Sequence, residues 1–593
     1  MPKNPIIKFI SCCLFLFIFF QLPAGEFYNL KFKGISKEQI SFLESISQLA
    51  SLEKDKPKTK ASLKRRAESD VEGFIKALQS LGYYGAKVEF NINFDTNPPL
   101  VLFQIKTGPL YPLKEFNILP DPQYKHFFRL PECIDLENLG IELNLTALPK
   151  DIIQGQERLL EILEKLGYPL AKVSKRDVLV DETKKNVVVN IYLNQGPLCY
   201  FGPVTILGQE SVFDELFYKK ITWCEGDIYD PKLIDKTQSK LEGTNLFSSI
   251  NITHPEEARD GVLPITIQVI ERKHRSVAAG VAYSTETGAG VLAEWEHRNI
   301  SNIGERISFK VNIAQIVQEG RFVYVRPDFG RIGQDFLWIV DSQREITKGF
   351  RTFSVSLSGI FERQINDHLR ISYGGSFKRI TDSHTDNDRV FTLLKSPFQL
   401  RWNKTNNLLD PTKGHTISLK VIPSVQIIKP QFIYCINLLT GTYYKAINHN
   451  DKYIFATKGV FGTIFGSSRH SIPPSERFYA GSENLLRGYH YLTVSPLNHD
   501  DRRPVGGRSM LIFSTELRIR NRNSLGYVLF YDFGNVYRTW LPEIGHKFLQ
   551  SIGGGLRYDT PVGPLRFDLA FPLNRRKHID GPFQFYVSIG QAF

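Results

Sequence analysis

The sequence predicts three small α+β repeats, each β-α-α-β-β, followed by an all-β antiparallel transmembrane barrel of 16 strands. Three observations lead there. A Leu-Gly-Tyr motif recurs in the first third of the chain, helical periodicity stops near residue 274, and beyond it apolar and polar residues alternate. Composition agrees with a strand-rich chain. Aromatic residues make up 12%, with 43 Phe and 25 Tyr, and rings pack well on pleated surfaces. At 42% hydrophobic and 23% charged, the chain is neither wholly disordered nor collagen-like. The net charge of +13 would suit nucleic acid, but the N-terminus argues against that compartment.

Residues 1–25 read as a secretory signal peptide. Lys3 and Lys8 are the only charges ahead of an apolar stretch from Phe9 to Phe20, and Leu22-Pro23-Ala24-Gly25 offers small residues for cleavage before Glu26. That stretch falls short of the roughly 20 residues a spanning helix needs. An uncleaved N-terminal anchor is the alternative. After export the chain is expected to be either soluble or a membrane barrel. The cysteines beyond the signal, Cys133, Cys199, Cys224 and Cys435, show no metal-like spacing. A Cys199–Cys224 bridge and isolated thiols both remain open.

The repeats come next. Leu81-Gly82-Tyr83 with Ala86-Lys87-Val88 returns as Leu166-Gly167-Tyr168 with Ala171-Lys172-Val173. Each copy follows an amphipathic helix, with stripes at Val71, Phe74, Ile75, Leu78, Leu81 and at Leu159, Leu160, Leu163, Leu166. Each leads into two strands and closes on a breaker, Gly108-Pro109 or Gly196-Pro197. A looser third copy runs from Asp230 through Leu246-Phe247, and opening strands are expected at Tyr28–Lys33, Leu113–Ile118 and Tyr200–Leu207. The expected boundaries are 26–108, 109–197 and 198–273 for the repeats and 274–593 for the barrel. The basic run Lys54–Arg66 reads as a solvated loop and helix start, with a membrane-facing patch as the alternative.

In the last part the period is two. Phe353, Val355 and Leu357 alternate with Ser354 and Ser356, Phe513, Thr515 and Leu517 with Ser514, Glu516 and Arg518, and Leu565, Phe567 and Leu569 with Arg566 and Asp568. Successive strand side chains point to opposite faces, so one face is apolar and the other polar. A soluble sandwich could hide such faces. At roughly 20 residues per strand and loop, however, the length allows about 16 strands, and a closed barrel leaves no edge. Apolar residues would then face lipid, and Arg, Lys, Asp and Ser would face a wet lumen.

Four stretches carry a resemblance. They are Pro473-Pro474-Ser475-Glu476-Arg477-Phe478-Tyr479-Ala480-Gly481 running into Leu486-Arg487-Gly488-Tyr489; Phe530-Tyr531-Asp532-Phe533-Gly534-Asn535-Val536-Tyr537; Leu556-Arg557 with Thr560-Pro561-Val562-Gly563-Pro564-Leu565-Arg566-Phe567-Asp568; and the chain end, Phe585 to Phe593. In this order they resemble the outer-membrane β-barrel assembly superfamily, in which periplasmic POTRA domains precede a 16-stranded barrel. With three repeats, the chain is most similar to the TamA branch, the translocation and assembly module; the BamA branch usually carries five. Gly481-Ser482 stands where the family usually has Gly-Gly.

The resemblance implies an outer-membrane factor that inserts and folds β-barrel or autotransporter-type proteins. Its POTRA domains would lie in the periplasm of a Gram-negative-type cell. A general BamA-like role and a two-partner-type secretion pore are the alternatives. Implied partners are unfolded outer-membrane clients, outer-membrane lipid and a TamB-like periplasm-spanning protein; nucleic acid is not expected. Arg487, Gly488 and Tyr489 would tip a loop folded into the lumen, with Asp532 as the partner of Arg487 and the Tyr489 hydroxyl solvated. Phe585, Val587, Ile589, Gly590 and Phe593 would form the C-terminal strand signal and one side of a weak seam with the first strand.

An enzyme is not expected, and neither is a cofactor or metal. His274, His297 and His470 show no nearby acid–nucleophile pattern, and Gly553-Gly554-Gly555 precedes a strand rather than a phosphate-binding helix.

Overall fold

Each Leu-Gly-Tyr motif ends a helix, and that local chemistry organises the first two repeats. A computed structural model describes residues 28–52, 57, 59–123, 130–284, 286–383, 388–448, 451–520, 524–543, 545, 547–558 and 565–589. The signal read at 1–25, as well as Gly590 and Phe593, lies outside them, as does the side chain of Ile589.

The first repeat comprises β1 (Asn29–Lys33), α1 (Lys37–Ile46), α2 (Gln48–Ser51), α3 (Lys60–Ser80), β2 (Lys87–Asn93) and β3 (Leu100–Lys106). Its sheet runs β1-β3-β2, with β1 parallel and β2 antiparallel to the central strand. Thr59 caps α3, which buries Leu63, Ala67, Phe74 and Leu78 against that sheet. Asp70 on the same helix is buried too, and it accepts from the Ser47 hydroxyl at 2.6 Å and from Gln48 N at 2.7 Å, fixing the start of α2. At the C-terminus Gly82 takes φ +89°, which favours glycine. Tyr83 N then donates to Leu78 O at 3.0 Å, and Gly82 N to Gln79 O at 2.9 Å, satisfying carbonyls the helix leaves open.

The second repeat has β4 (Leu113–Pro120), α4 (Pro149–Lys165), β5 (Lys172–Asp181) and β6 (Asn186–Asn194), in sheet order β4-β6-β5. Gly167 and Tyr168 repeat the same cap, with Tyr168 N on Leu163 O at 2.9 Å. Two helices were expected in this repeat. The described residues contain one; turns occupy 131–140, where Pro131 and Gly140 oppose a continuous helix. The third repeat follows the full pattern: β7 (Tyr200–Leu207), α5 (Asp214–Lys220), α6 (Pro231–Glu242), β8 (Phe247–Thr253) and β9 (Val262–Glu271), in sheet order β7-β9-β8. Cys133, Cys199, Cys224 and Cys435 are all free thiols, so the 199–224 bridge is not formed.

The chain divides into two compact units, and residues 206–221, 237–251 and 268–593 make up the second. Its barrel strands are β10 (Arg275–Ser284), β11 (Gly288–His297), β12 (Arg306–Ala314), β13 (Val317–Arg326), β14 (Gln334–Ile346), β15 (Arg351–Gln364), β16 (Leu369–Asp382), β17 (Arg389–Lys395) and β18 (Phe398–Asn403). They continue through β19 (Gly414–Gln426), β20 (Phe432–Ala446), β21 (Tyr453–Gly466), β22 (Ser509–Arg520), β23 (Leu525–Tyr537), β24 (Leu549–Tyr558), β25 (Leu565–Pro572) and β26 (Gln584–Ile589). All are neighbours in chain order within one antiparallel sheet. β17 and β18 are halves of one stave, since both pair with β16 and with β19. Pro397, which has no N–H to donate, lies at the break. The 17 strands therefore make the expected 16 staves.

Alternation sorts the faces. Phe353, Leu357, Phe513, Phe567 and Leu569 are exposed outward, whereas Ser514, Glu516, Arg518, Arg566 and Asp568 are buried inside. At roughly 25 cal/mol per Å² of apolar surface, so much exposed hydrocarbon is favourable only against lipid. Among the described residues no helix is long and apolar enough to cross a membrane.

Candidate functional site: the lumenal loop and its anchors

Between β21 and β22 the chain makes its longest barrel loop, which carries the Pro-Pro-Ser-Glu-Arg-Phe and Arg-Gly-Tyr motifs. It packs apolar side chains inward. Ile472, Phe478, Ala480, Leu486, Tyr489 and Val494 join Ile380, Leu393, Val460, Ile464, Ile512 and Val536 of the wall in one buried cluster. The lumen expected to present Arg, Lys, Asp and Ser thus also holds an apolar patch where the loop packs. Residues such as Ile512 sit at polar-face positions of their strands because a loop, rather than water, covers them.

At the tip, Arg487 is almost fully buried, 2% exposed. Its Nε donates to Asp532 Oδ2 and its Nη2 to Asp532 Oδ1, both at 2.8 Å, while its backbone N–H reaches Oδ2 at 3.0 Å. The parallel pair is the fork that a planar guanidinium makes with a carboxylate. Nη1 donates to Glu516 Oε1 at 2.6 Å and lies 3.6 Å from Asp568 Oδ2, and the guanidinium sits 3.5 Å from the centre of the Phe530 ring. Burying a lone cation would cost several kcal/mol, so these partners are what make the position tenable. Around them, Arg518 donates to Glu516 at 2.9 Å, Arg557 to Asp568 at 2.5 Å and Arg566 to Asp568 at 2.9 Å. Four arginines and three carboxylates from the loop, β22, β23, β24 and β25 thus form one network.

Gly488 takes φ +92°, and a Cβ there would press on Ser551 at 3.1 Å. Its N–H donates to the Tyr586 hydroxyl at 2.9 Å. The loop is thereby tied to β26, the last strand. Tyr489 is 1% exposed, and its hydroxyl donates to Gln550 O at 2.8 Å and accepts from Gln550 N at 3.1 Å. The expected solvated hydroxyl is therefore corrected, since β24 backbone replaces water. Phe585 points outward and is exposed, in antiphase with the buried Tyr586; Val587 is half-buried.

A second anchor holds the root of the loop. Glu476 accepts from Lys378 of β16 at 3.0 Å and from Lys395 of β17 at 2.5 Å. Arg477 closes the loop on itself, donating to Ile472 O at 2.7 Å and Val505 O at 2.8 Å. The loop thus bridges two arcs of wall, β16–β17 and β22–β26, with β19, β20 and β21 between them.

The two ends of the sheet differ in pairing from its interior. β10 and β26 come side by side, yet among the described residues no backbone ladder joins them.

One histidine reading is corrected. Folding brings Ser211 Oγ to 2.8 Å and Glu271 Oε2 to 3.1 Å from His274 Nε2. The sequence separation of Ser211 hid this contact. Both contacts use the same ring nitrogen, so the imidazole cannot pass a proton from one group to the other as a serine–histidine–acid triad does. Backbone N–H groups of Glu210, Ser211 and Val212 also point at Glu271, at 2.8–2.9 Å, which makes the cluster a structural clasp. Among the described residues no group of His, Cys, Asp and Glu could hold a metal ion.

Glu516, Arg518, Phe530, Arg557, Arg566, Asp568 and Tyr586 lie in the alternating and motif-bearing stretches of the sequence, but no site role was assigned to them there. The available signal was charge at inward positions of consecutive strands, weak until pairing order is known.

Residues 299–593 match the family described as the Omp85 superfamily domain. The chain is 22% identical over 544 residues to the outer membrane protein assembly factor BamA of Nitratidesulfovibrio vulgaris, covering 86% of this chain and 66% of that one. It is 20% identical over 602 residues to BamA of Neisseria meningitidis, covering 88% and 72%. It thus spans about two thirds of the length of these relatives. Among solved structures, BamA from Haemophilus ducreyi lacking POTRA domains 1–3 superposes with a TM-score of 0.66 at 18% identity, covering 81% of this chain and 100% of that one.

Proposed function

The chain belongs to the Omp85 superfamily as a POTRA-barrel protein of the outer membrane, and from that premise we propose that it inserts and folds β-barrel proteins there. The observation that carries this reading is at the seam: the last strand lies beside the first with, among the described residues, no backbone ladder between them, and the lumenal loop is hydrogen-bonded to Tyr586 on that last strand. A strand edge that opens offers backbone donors and acceptors to an incoming client strand, and such pairing tolerates many sequences. The edges of β2 and β5 offer the same chemistry to unfolded clients in the periplasm. No nucleotide is needed, because folding into lipid supplies the driving force. Autotransporter-type clients and a TamB-like periplasm-spanning partner belong to the TamA-like form of this reading. Similarity to BamA of two bacteria favours the general BamA-like form.

The test is reconstitution. Purified full chain in liposomes should accelerate folding of a urea-denatured barrel client, followed by its gel mobility without heating. A cysteine pair introduced across β10 and β26, with the native thiols replaced by Ser, should abolish acceleration when oxidised and restore it when reduced. Equal acceleration in both states would reject the seam. Depletion then separates the two forms, with broad loss of outer-membrane proteins marking the BamA-like role and loss of a narrow set the TamA-like one.

A further inference from the structure

Four arginines gather at the end of the barrel where the β21–β22 loop leaves the wall. Arg389 opens β17, Arg469 and Arg477 lie in the loop, and Arg538 follows β23. Their contacts place them together. Arg389 donates to His470 O at 3.0 Å, Arg469 lies 3.3 Å from the His470 ring nitrogen, and Arg469 and Arg477 both donate to Val505 O, at 3.5 and 2.8 Å. Arg538 donates to Leu497 O at 2.7 Å, and Leu497 bridges Pro504 beside Val505. His470 feels all four, and its pKa is lowered chiefly by Arg469 and then by burial and the other three.

The partners are carbonyls. Among the described residues no carboxylate lies within ion-pair distance of any of the four, in contrast to the tip network, where every arginine has one. Arg389, His470 and Arg538 are exposed. Like charges at close range repel, and a fold that only needed to solvate them would spread them apart. Carbonyl contacts orient the guanidinium groups while leaving most N–H donors of Arg389 and Arg538 unused. Planar forks of this kind match the oxygens of a phosphate.

We propose that Arg389, Arg469, Arg477 and Arg538 form an extracellular binding site for a phosphate group, either of a soluble phosphate or of the phosphorylated headgroup of a membrane lipid. The site lies on the loop that carries Arg487, so a ligand there would also hold the root of the lumenal plug. The inference does not depend on assembly activity and is tested without it.

Detergent-purified full chain is titrated by calorimetry with pyrophosphate, with diphosphoryl lipid A and with its dephosphorylated form. Arg469→Gln/Arg538→Gln should weaken phosphate-bearing ligands by at least tenfold, Arg370→Gln at the opposite rim should leave them unchanged, and added salt should weaken wild-type binding. Lipid binding tenfold tighter than pyrophosphate assigns the headgroup as ligand; equal affinity assigns soluble phosphate. Undiminished binding by the double variant, or equal binding of the dephosphorylated lipid, overturns the proposal. Should the double variant fail to show a folded barrel on unheated gels, Arg538→Gln alone carries the test, since its guanidinium holds only a loop carbonyl.

Discussion

Arg487 holds Asp532 by three hydrogen bonds, two from its guanidinium and one from its own backbone N–H. Asp532 is 1% exposed. Removing either partner leaves a buried charge, which typically costs about 3–5 kcal/mol, whereas removing both forfeits much less. We therefore expect Arg487→Met and Asp532→Leu each to loosen the loop, seen as new protease cleavage within 467–508, while the barrel still inserts. The double variant should be less destabilised than the sum of the singles, by about 1–3 kcal/mol of coupling. Additive losses would show that the two residues act separately.

Glu476 makes the opposite anchor with Lys378 and Lys395. Glu476→Gln keeps the shape but leaves two ammonium groups facing one another across a buried site. A loss of about 3 kcal/mol is expected, read as a lower temperature for the heat-induced gel shift of the barrel. Lys378→Met should cost less, since Lys395 still neutralises the carboxylate.

Gly553 and Gly555 face the network, and Gly554 faces outward. A Cβ on Gly553 would collide with the Phe530 ring beneath Arg487, and one on Gly555 with the Asp568 carboxylate, whereas one on Gly554 meets nothing closer than 3.5 Å. Gly553→Ala and Gly555→Ala should each destabilise the barrel by about 1–3 kcal/mol, and Gly554→Ala should be close to neutral. The same gel-shift temperatures check this, and three equal effects would reject the packing account.

That glycine run shows where sequence reasoning stopped. Read as preceding a strand, it lies inside β24, and its purpose depends on Phe530 of β23 and Asp568 of β25, which only strand order brings to it. Local signals were readable: the Leu-Gly-Tyr caps need only nearby backbone, and the period of two in β22 and β25 needs only pleat geometry. Arg487 and Asp532 drew attention through family motifs rather than spacing, being 45 residues apart. In the second repeat the described residues hold one helix, and the turns at 131–140 contain Pro131 and Gly140, which the pattern of the first repeat does not reveal. Ile512 and Val536 are apolar at inward positions, and only the loop that covers them explains why.

Glu271 supplies a pH dependence outside the membrane. Burial alone would raise its pKa, but the Ser211 hydroxyl and the backbone N–H groups of Ser211, Glu210 and Val212 outweigh it and hold the value at about 2, against an ordinary 4.5. The folded state therefore resists protonation more than the unfolded one. The clasp is in full force above the unfolded pKa and is lost as pH falls from about 4.5 toward 2. Hydrogen-exchange protection of the Ser211 and Val212 amides should drop across that window. In Glu271→Gln the drop should vanish, with protection at pH 7 already about tenfold lower. A pH-independent wild type would refute the clasp.

Tyr586 is where the lumenal loop and the last strand communicate. Its hydroxyl accepts from Gly488 N at 2.9 Å and donates to Tyr489 O at 3.4 Å. Tyr586→Phe removes both contacts without changing the ring. The loss should be about 1–2 kcal/mol, because the Gly488 N–H is left buried without a partner. Since Arg487 keeps its carboxylates, the loop should stay seated and protease-resistant. The last strand should exchange its amides faster, and the rate of client folding in liposomes should change. Faster amide exchange in β26 with an intact loop would establish the hydroxyl as the link between plug and seam; unchanged exchange would show that the two move independently.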